Sequence, residues 1–143
     1  MLGERWTGAP RALRWTVLLL VVALAHGTVV HVVQLIGGGF RPYSGSPIWL
    51  QVYFTALTVL DPLAAVLLAR CRRSGVLLSV AVFVTDAIAN GYANHVLDDS
   101  PGLTAGRVGQ AVITVLALVA LAVAPAAWRR AADRRPSRVS GVR

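Results

Sequence analysis

The 143-residue chain is 56% hydrophobic and 14% charged, against about 45–50% and 25% in soluble domains, which excludes an ordinary soluble domain. Its net charge of +8 comes from arginine alone. Because these arginines cluster beside apolar segments rather than along one soluble face, we expect no nucleic-acid partner. Cys71 is the single cysteine, so an intramolecular disulfide is excluded.

Four apolar runs follow one another along the chain, each long enough to cross a bilayer, which takes about 20 residues. They cover residues 15–36, 48–69, 75–96 and 108–128. Helices satisfy their own backbone hydrogen bonds in lipid, whereas runs of this length do not suit barrel strands. The sequence therefore predicts an all-α fold, a four-helix transmembrane up-down bundle that forms a single domain over residues 15–128.

The segments that flank these spans differ in arginine content. Twelve of the 14 arginines fall on one side of the four-span arrangement, and only Arg41 and Arg107 fall on the other. Because arginine-rich segments stay in the cytoplasm, both termini are predicted to be cytoplasmic, in a multi-pass protein of the inner (plasma) membrane. Residues 1–14 form the N-terminal segment, and residues 129–143 form a basic tail that we expect to be disordered.

The first span also has features of a cleavable signal peptide. The stretch "RALRWTVLLLVVALA" has a basic start, an apolar middle and small residues at Ala23 and Ala25. Cleavage after Ala25 would leave His26 at the N-terminus and three full spans. The apolar run continues through "TVVHVVQLI", which favours an uncleaved helix, but both possibilities stay open.

Polar side chains interrupt the spans, mostly in their outer halves. At about 1.5 Å of rise per residue, His26 and Asp86 fall near the middle of the first and third spans, and Asp61 lies slightly past the middle of the second. The milder polar residues lie further out, namely His31, Gln34, Gln51, Tyr53, Asn90, Asn94 and Gln110. This pattern predicts an intramembrane polar site that opens to the outer side, with the three ionisable residues at its floor.

An acid at mid-bilayer costs about 2.5–3.5 kcal/mol on insertion scales and marks a functional site by default. We therefore take Asp86, Asp61 and His26 as candidate catalytic groups that act by proton transfer. The predicted ligand-binding residues are His26, His31, Asp61, Asp86, Asn90 and Tyr53.

The spacing of these residues says which of them share a helix face. Asp86 and Asn90 are four residues apart and lie on one face, whereas His26 and His31 lie about 140° apart on a helix. Those two histidines are therefore not expected to point squarely into the same site. The alternatives stay open: the asparagines bond neighbouring helices, the histidines are packed, and Tyr53 belongs to an interfacial belt.

No motif for a cofactor appears in the chain. It has no glycine-rich phosphate loop, no HExxH and no cysteine pair. A transition metal held by His26, Asp61 and Asp86 is conceivable but poorly specified. We therefore expect neither a cofactor nor a metal.

The four-span layout, with Asp61 and Asp86 inside the second and third spans, resembles the EXPERA group of emopamil-binding sterol isomerases and the sigma-2 receptor. The resemblance implies a lipophilic-ligand pocket reached from the membrane, with carboxyls that contact an amine or shuttle a proton. No motif matches residue by residue, so no catalytic role is carried over. The stretch "LTVLDPLAAVLLAR" also resembles a segment of small uncharacterised bacterial membrane proteins, which implies no function.

Three functions are consistent with these features, besides association with the lipid bilayer. The first is binding, or isomerising, a small lipophilic or ionisable molecule at the polar site, so the chain is either a binding protein or an enzyme. The second is a small transporter or channel subunit, which requires a homo-oligomer because four helices enclose little volume. The third is a structural partner of another membrane protein, with the polar faces as docking surfaces.

Overall fold

Four long helices pack in sequence order in the computed structural model. The structure describes residues 2–39, 43 and 45–133. A short helix α1 (Leu2–Arg5) precedes the long helices α2 (Arg11–Gly37), α3 (Ile48–Ala69), α4 (Arg73–Tyr92) and α5 (Ala105–Asp133), and a π-helical segment (Ala93–Leu97) continues α4. The predicted all-α up-down bundle is confirmed, because each long helix packs against the next one in sequence. All four are long and apolar enough to span a membrane.

The helices agree with the predicted spans at α3, and α2 and α5 extend beyond theirs at both ends. α4 begins earlier than predicted and ends at Tyr92, and the π-helical segment continues it past residue 96. The predicted limits 48–69 are those of α3, while α2 begins at Arg11 and passes Ala25 without a break. α5 continues to Asp133, so residues 129–133 of the tail that we expected to be disordered are helical. Hydropathy marks only the part of a helix that suits lipid, and arginine and alanine continue a helix well beyond it. Residues 134–143 of that tail lie outside the described residues.

The two ends of the bundle differ in charge. One end gathers the start of α2, the end of α3, the start of α4 and the end of α5; we call it the arginine end. Its described arginines are Arg5, Arg11, Arg14, Arg70, Arg72, Arg73, Arg129 and Arg130. The opposite end, which we call the loop end, carries the α2–α3 and α4–α5 connections and, among the described arginines, Arg107.

A tight turn joins α3 to α4 at the arginine end. The N–H groups of Cys71 and Arg72 donate to the carbonyls of Leu68 (2.9 Å) and Leu67 (3.1 Å), which is the Schellman pattern of a helix C-terminus. Cys71 takes the left-handed conformation, with φ of 55°, although glycine is the usual residue there. A Cβ added at Gly75 would lie 2.3 Å from the backbone of Leu67, so α4 begins directly against the backbone of α3.

The segment before α2 closes the arginine end. Trp6 is 0% exposed, and its indole N–H donates to the Leu68 carbonyl at 3.3 Å. The Arg130 guanidinium donates to the carbonyl of Thr7, and the Arg73 guanidinium lies 4.9 Å from the centre of the Trp128 ring. Aromatic burial and a cation–π contact thus connect the N-terminal segment, α4 and α5.

Packing is uneven around the bundle. Each helix contacts the next one in sequence extensively, whereas α2 and α5 contact each other much less. Buried alanines, among them Ala89, Ala117 and Ala120, allow α4 and α5 to approach closely. The seam between α2 and α5 is therefore the loosest contact of the bundle, and the interior widens beside it toward the loop end.

Gly75→Ala is expected to lower the free energy of unfolding by about 2–3 kcal/mol, because the new methyl group meets backbone atoms that cannot move aside. The measurement is equilibrium unfolding in detergent micelles. Gly109→Ala is the matched control, since a Cβ there meets no atom within 4 Å and alanine favours the helix by about 0.5–1 kcal/mol. Equal stability of the two variants would contradict the close approach of α3 and α4.

Candidate functional site

A cavity of about 770 Å³ lies between the four long helices, toward the loop end. Most of its wall is apolar and comes from side chains such as Val30, Phe54, Phe83 and Leu116. Small-molecule sites span about 300–1,000 Å³, so the cavity has the size of a site for a drug-sized molecule. Its wall includes side chains that are exposed on the outside of the bundle, for example Leu19 (52%) and Val112 (55%). These two residues flank the seam between α2 and α5, so the cavity opens sideways there.

Two carboxyl groups reach this cavity from neighbouring helices. Asp61 of α3 is 4% exposed, Asp86 of α4 is partly buried, and both line the cavity. The Asp86 Oδ1 atom accepts a hydrogen bond from Asn90 Nδ2 at 2.8 Å, which their spacing of four residues on one helix face permits. The structure thus brings both acids and Asn90 to one site.

Gly27 gives Asp61 its position, and sequence reasoning missed it. A Cβ at residue 27 would lie 2.6 Å from Asp61 Oδ2, so the carboxyl group of α3 lies against the backbone of α2. Small residues in membrane helices mark places where neighbours approach closely. A single glycine inside the first span, at about the depth of the predicted floor, was the available signal.

The two histidines occupy different parts of the cavity wall. His26 is exposed and forms part of the wall beside the seam, whereas His31 is buried at 9% exposure. The His31 ring stacks on Phe54 with a centroid distance of 6.0 Å and an angle of 20° between the planes. The separation of about 140° along the helix explains why only one of them is buried. Both line the cavity because its opening lies on the side of α2 that carries His26.

Tyr43 reaches back from the α2–α3 connection to the mouth of the cavity. Its hydroxyl donates to Gln34 Oε1 at 2.7 Å and lies 3.2 Å from His31 Nδ1, and its ring lies 5.1 Å from that of Phe54. Burial raises the pKa of Tyr43, and the charge of Asp86 acts in the same direction. The phenol therefore stays protonated at neutral pH. Sequence reasoning did not select Tyr43, since the pattern of a connection does not reveal which side chain folds back.

Tyr53, which we predicted to bind the ligand, does not line the cavity. Its hydroxyl lies 2.9 Å from Thr85 Oγ1 at the contact of α3 with α4. Adjacent residues on a helix are about 100° apart, so Phe54 faces the cavity in its place. Asn94 likewise turns away, with its Oδ1 atom where a Cβ at Gly106 would lie.

The donors and acceptors of the cavity define the chemistry available there. Two carboxyl groups, two imidazoles, two amides and a phenol accept or donate hydrogen bonds, and the carboxyl and imidazole groups also exchange protons. In the part of the chain that the structure describes, no three His, Cys, Asp or Glu side chains are grouped so as to hold a metal ion. The arrangement suits an organic molecule with polar hydrogens.

Fold and site together define the class of the protein. Four helices long and apolar enough to span a bilayer make it a small multi-pass membrane protein that associates with lipid. No family model, curated protein or solved structure matches the chain.

The contact between Asn90 and Asp86 is expected to show a coupling free energy of about 1 kcal/mol. The measurement is a double-mutant cycle of unfolding free energies with Asn90→Ala and Asp86→Ala in micelles. A second cycle that pairs Asn94→Ala with Asp86→Ala is the matched control. Asn94 donates to the carbonyl one turn before it, as Asn90 also does, but among the described residues it makes no bond to a carboxylate. Coupling of similar size in both cycles would show that the carboxylate bond contributes nothing.

Proposed function

We propose that this protein binds, inside the membrane, a small lipophilic molecule that carries a hydrogen-bond-donating group such as an amine or a hydroxyl. The observation that supports the proposal is the cavity of about 770 Å³ in which Asp61 and Asp86 meet among apolar side chains. Buried carboxylates require donors or a compensating charge. Among the described residues, no arginine lines the cavity, and Asp61 receives no side-chain hydrogen bond.

The membrane setting decides which contacts give selectivity. A lipophilic ligand that leaves the bilayer exchanges one apolar environment for another, so apolar contacts with Phe83 or Leu116 discriminate little. A hydrogen bond to a carboxylate in a medium of low dielectric constant discriminates strongly, because lipid chains offer no acceptor. The carboxyl groups therefore select which lipophilic molecule binds, and the apolar wall holds its hydrocarbon part.

Proton transfer on the bound molecule is the enzymatic form of this proposal. Asp86, Asp61 and His26 all line the cavity and are the candidates to donate and accept the proton. The architectural resemblance to the EXPERA group supports the same assignment of a lipophilic ligand. A transport path through one copy of the chain is less well supported, since Trp6 is buried at the arginine end.

The orientation of the protein is part of the proposal. It is supported by the eight described arginines of the arginine end, against Arg107 at the loop end, because arginine-rich segments stay in the cytoplasm. In this orientation the arginine end and both termini are cytoplasmic. In the inner (plasma) membrane the cavity then opens within the outer half of the bilayer.

Labelling of single introduced cysteines tests this orientation. Ser100→Cys in the α4–α5 connection is expected to react with a membrane-impermeant maleimide on intact cells, and Ser74→Cys at the arginine end only after permeabilisation. Both side chains are exposed, and the parent protein with buried Cys71 is the control. The reverse pattern would place the arginine end outside.

Three probes with one apolar body test the binding proposal: phenylbutylamine, phenylbutanol and butylbenzene. A ligand that binds only the folded state raises the unfolding temperature, so the amine is expected to stabilise the protein most and butylbenzene least. The Asp61→Asn, Asp86→Asn double variant is expected to lose the advantage of the amine. Asp98→Asn is the matched control, because Asp98 lies in the α4–α5 connection outside the cavity. Equal shifts with all three probes would overturn the role of the carboxyl groups.

Filling the cavity provides a second arm of the same experiment. Gly109→Leu directs a side chain into the cavity without meeting any atom within 4 Å at its Cβ, so the stabilisation by every probe is expected to fall. Gly37→Leu is the control, since its Cβ position is equally open but lies outside the cavity wall. Unchanged stabilisation in Gly109→Leu would show that the probes bind elsewhere.

A further inference from the structure

Three side chains form a hydrogen-bonded chain at the mouth of the cavity: Gln34, Tyr43 and His31. Tyr43 belongs to the α2–α3 connection, while the other two lie one turn apart on α2. The distances are 2.7 Å from the Tyr43 hydroxyl to Gln34 Oε1 and 3.2 Å from the hydroxyl to His31 Nδ1. Stacking on Phe54 holds the imidazole ring in place.

The single hydrogen of a phenol determines the direction of this chain. Tyr43 donates that hydrogen to Gln34 Oε1, which as a carbonyl oxygen can only accept. The hydroxyl oxygen therefore presents a lone pair to His31, and Nδ1 must be the donor in that contact. A neutral imidazole has one N–H, so a hydrogen on Nδ1 leaves Nε2 as an acceptor.

The Nε2 atom is available to a ligand. Among the described residues Nε2 has no hydrogen-bond partner. It is also absent from the polar atoms that are buried without a partner, so it is accessible to solvent. His31 itself forms part of the cavity wall. The free acceptor therefore has access to the cavity.

The geometry points to a second binding point in the cavity: we propose that Gln34 and Tyr43 hold His31 as its Nδ1–H tautomer, so that Nε2 accepts a hydrogen bond from the ligand. Tyr43 is then a positioning residue, whose own hydrogen is already used. A ligand that offers only acceptors gains nothing at this mouth, whereas one that offers a hydroxyl or an amine does.

The distance between the two binding points defines the ligand class. The carboxyl group of Asp61 lies against Gly27, and His31 follows Gly27 by one helix turn, which is about 6 Å along the axis. A lipophilic amino alcohol or diol whose polar groups span at least that axial offset can reach both points. This assignment of the ligand rests on the proposed function, whereas the tautomer of His31 does not.

Nitrogen NMR of the histidines tests the tautomer without any ligand. Protein labelled with ¹⁵N is studied in micelles at about pH 8, where an ordinary histidine is neutral, and long-range correlations identify which nitrogen carries the hydrogen. The His31→Asn spectrum assigns the signals. We expect His31 to be Nδ1–H in the parent protein, and the Nε2–H form to gain population in Tyr43→Phe.

Gln34→Leu gives the sharper outcome. With its acceptor removed, the Tyr43 hydroxyl turns its hydrogen to Nδ1, so His31 is expected to invert to Nε2–H. Tyr53→Phe is the matched control: this tyrosine also contacts Phe54, but its hydroxyl pairs with Thr85, and its loss should leave His31 unchanged. An Nε2–H signal in the parent protein, or a signal that neither Tyr43→Phe nor Gln34→Leu alters, would overturn the proposal.

Two probes test the ligand class: a phenyl-substituted aminopentanol and the phenyl-substituted pentylamine that lacks its hydroxyl. One extra hydrogen bond makes the amino alcohol bind about fivefold more tightly, and Gln34→Leu is expected to remove that advantage while binding of the simple amine persists. Equal affinity of the two probes overturns the second binding point and leaves the proposed function standing. If neither probe binds, the proposed function fails, and the NMR result still decides the tautomer.

Discussion

The packing of this protein toward its loop end depends on one constraint: two carboxyl groups lie inside an apolar helix bundle. Left in lipid, each costs about 2.5–3.5 kcal/mol, so the helices must surround them with backbone, polar side chains and space. Asp86 accepts from Asn90 on its own helix, and Asp61 lies against α2 at Gly27. The Asp61–Gly27 contact, together with the packing of α3 between α2 and α4, fixes the face that α3 turns toward α2.

The arginine end provides the rigid base for that arrangement. Trp6 fills the bundle beneath α3, and the close approach at Gly75 holds α3 against α4 with no freedom to slide. α2 and α5, in contrast, contact each other much less than consecutive helices do. The cavity lies beside this loose seam between α2 and α5, and the polar side chains of the bundle interior line it.

The mouth of the cavity adds direction to this chemistry. Each carboxyl group has several lone pairs, so by itself it does not fix the direction from which a donor approaches. A histidine whose tautomer is held by a neighbouring phenol presents one acceptor in one direction, as metal-binding histidines do when their other nitrogen is oriented. Under the proposed function, Tyr43 links the α2–α3 connection, which lies outside the long helices, to ligand recognition through its contact with His31.

The sequence by itself determined the number of long apolar helices, their order, the segregation of arginine and the position of Asp61 and Asp86 within their helices. Hydropathy, charge and the rise of a helix are properties of a single segment. Only the tertiary structure decided that Phe54 rather than Tyr53 faces the cavity, that Gly27 receives a carboxyl group and that Tyr43 folds back over His31. Membrane spans are apolar all round, so their periodicity carries little information about facing. Which face turns inward is settled by the neighbouring helices and by the connection between them.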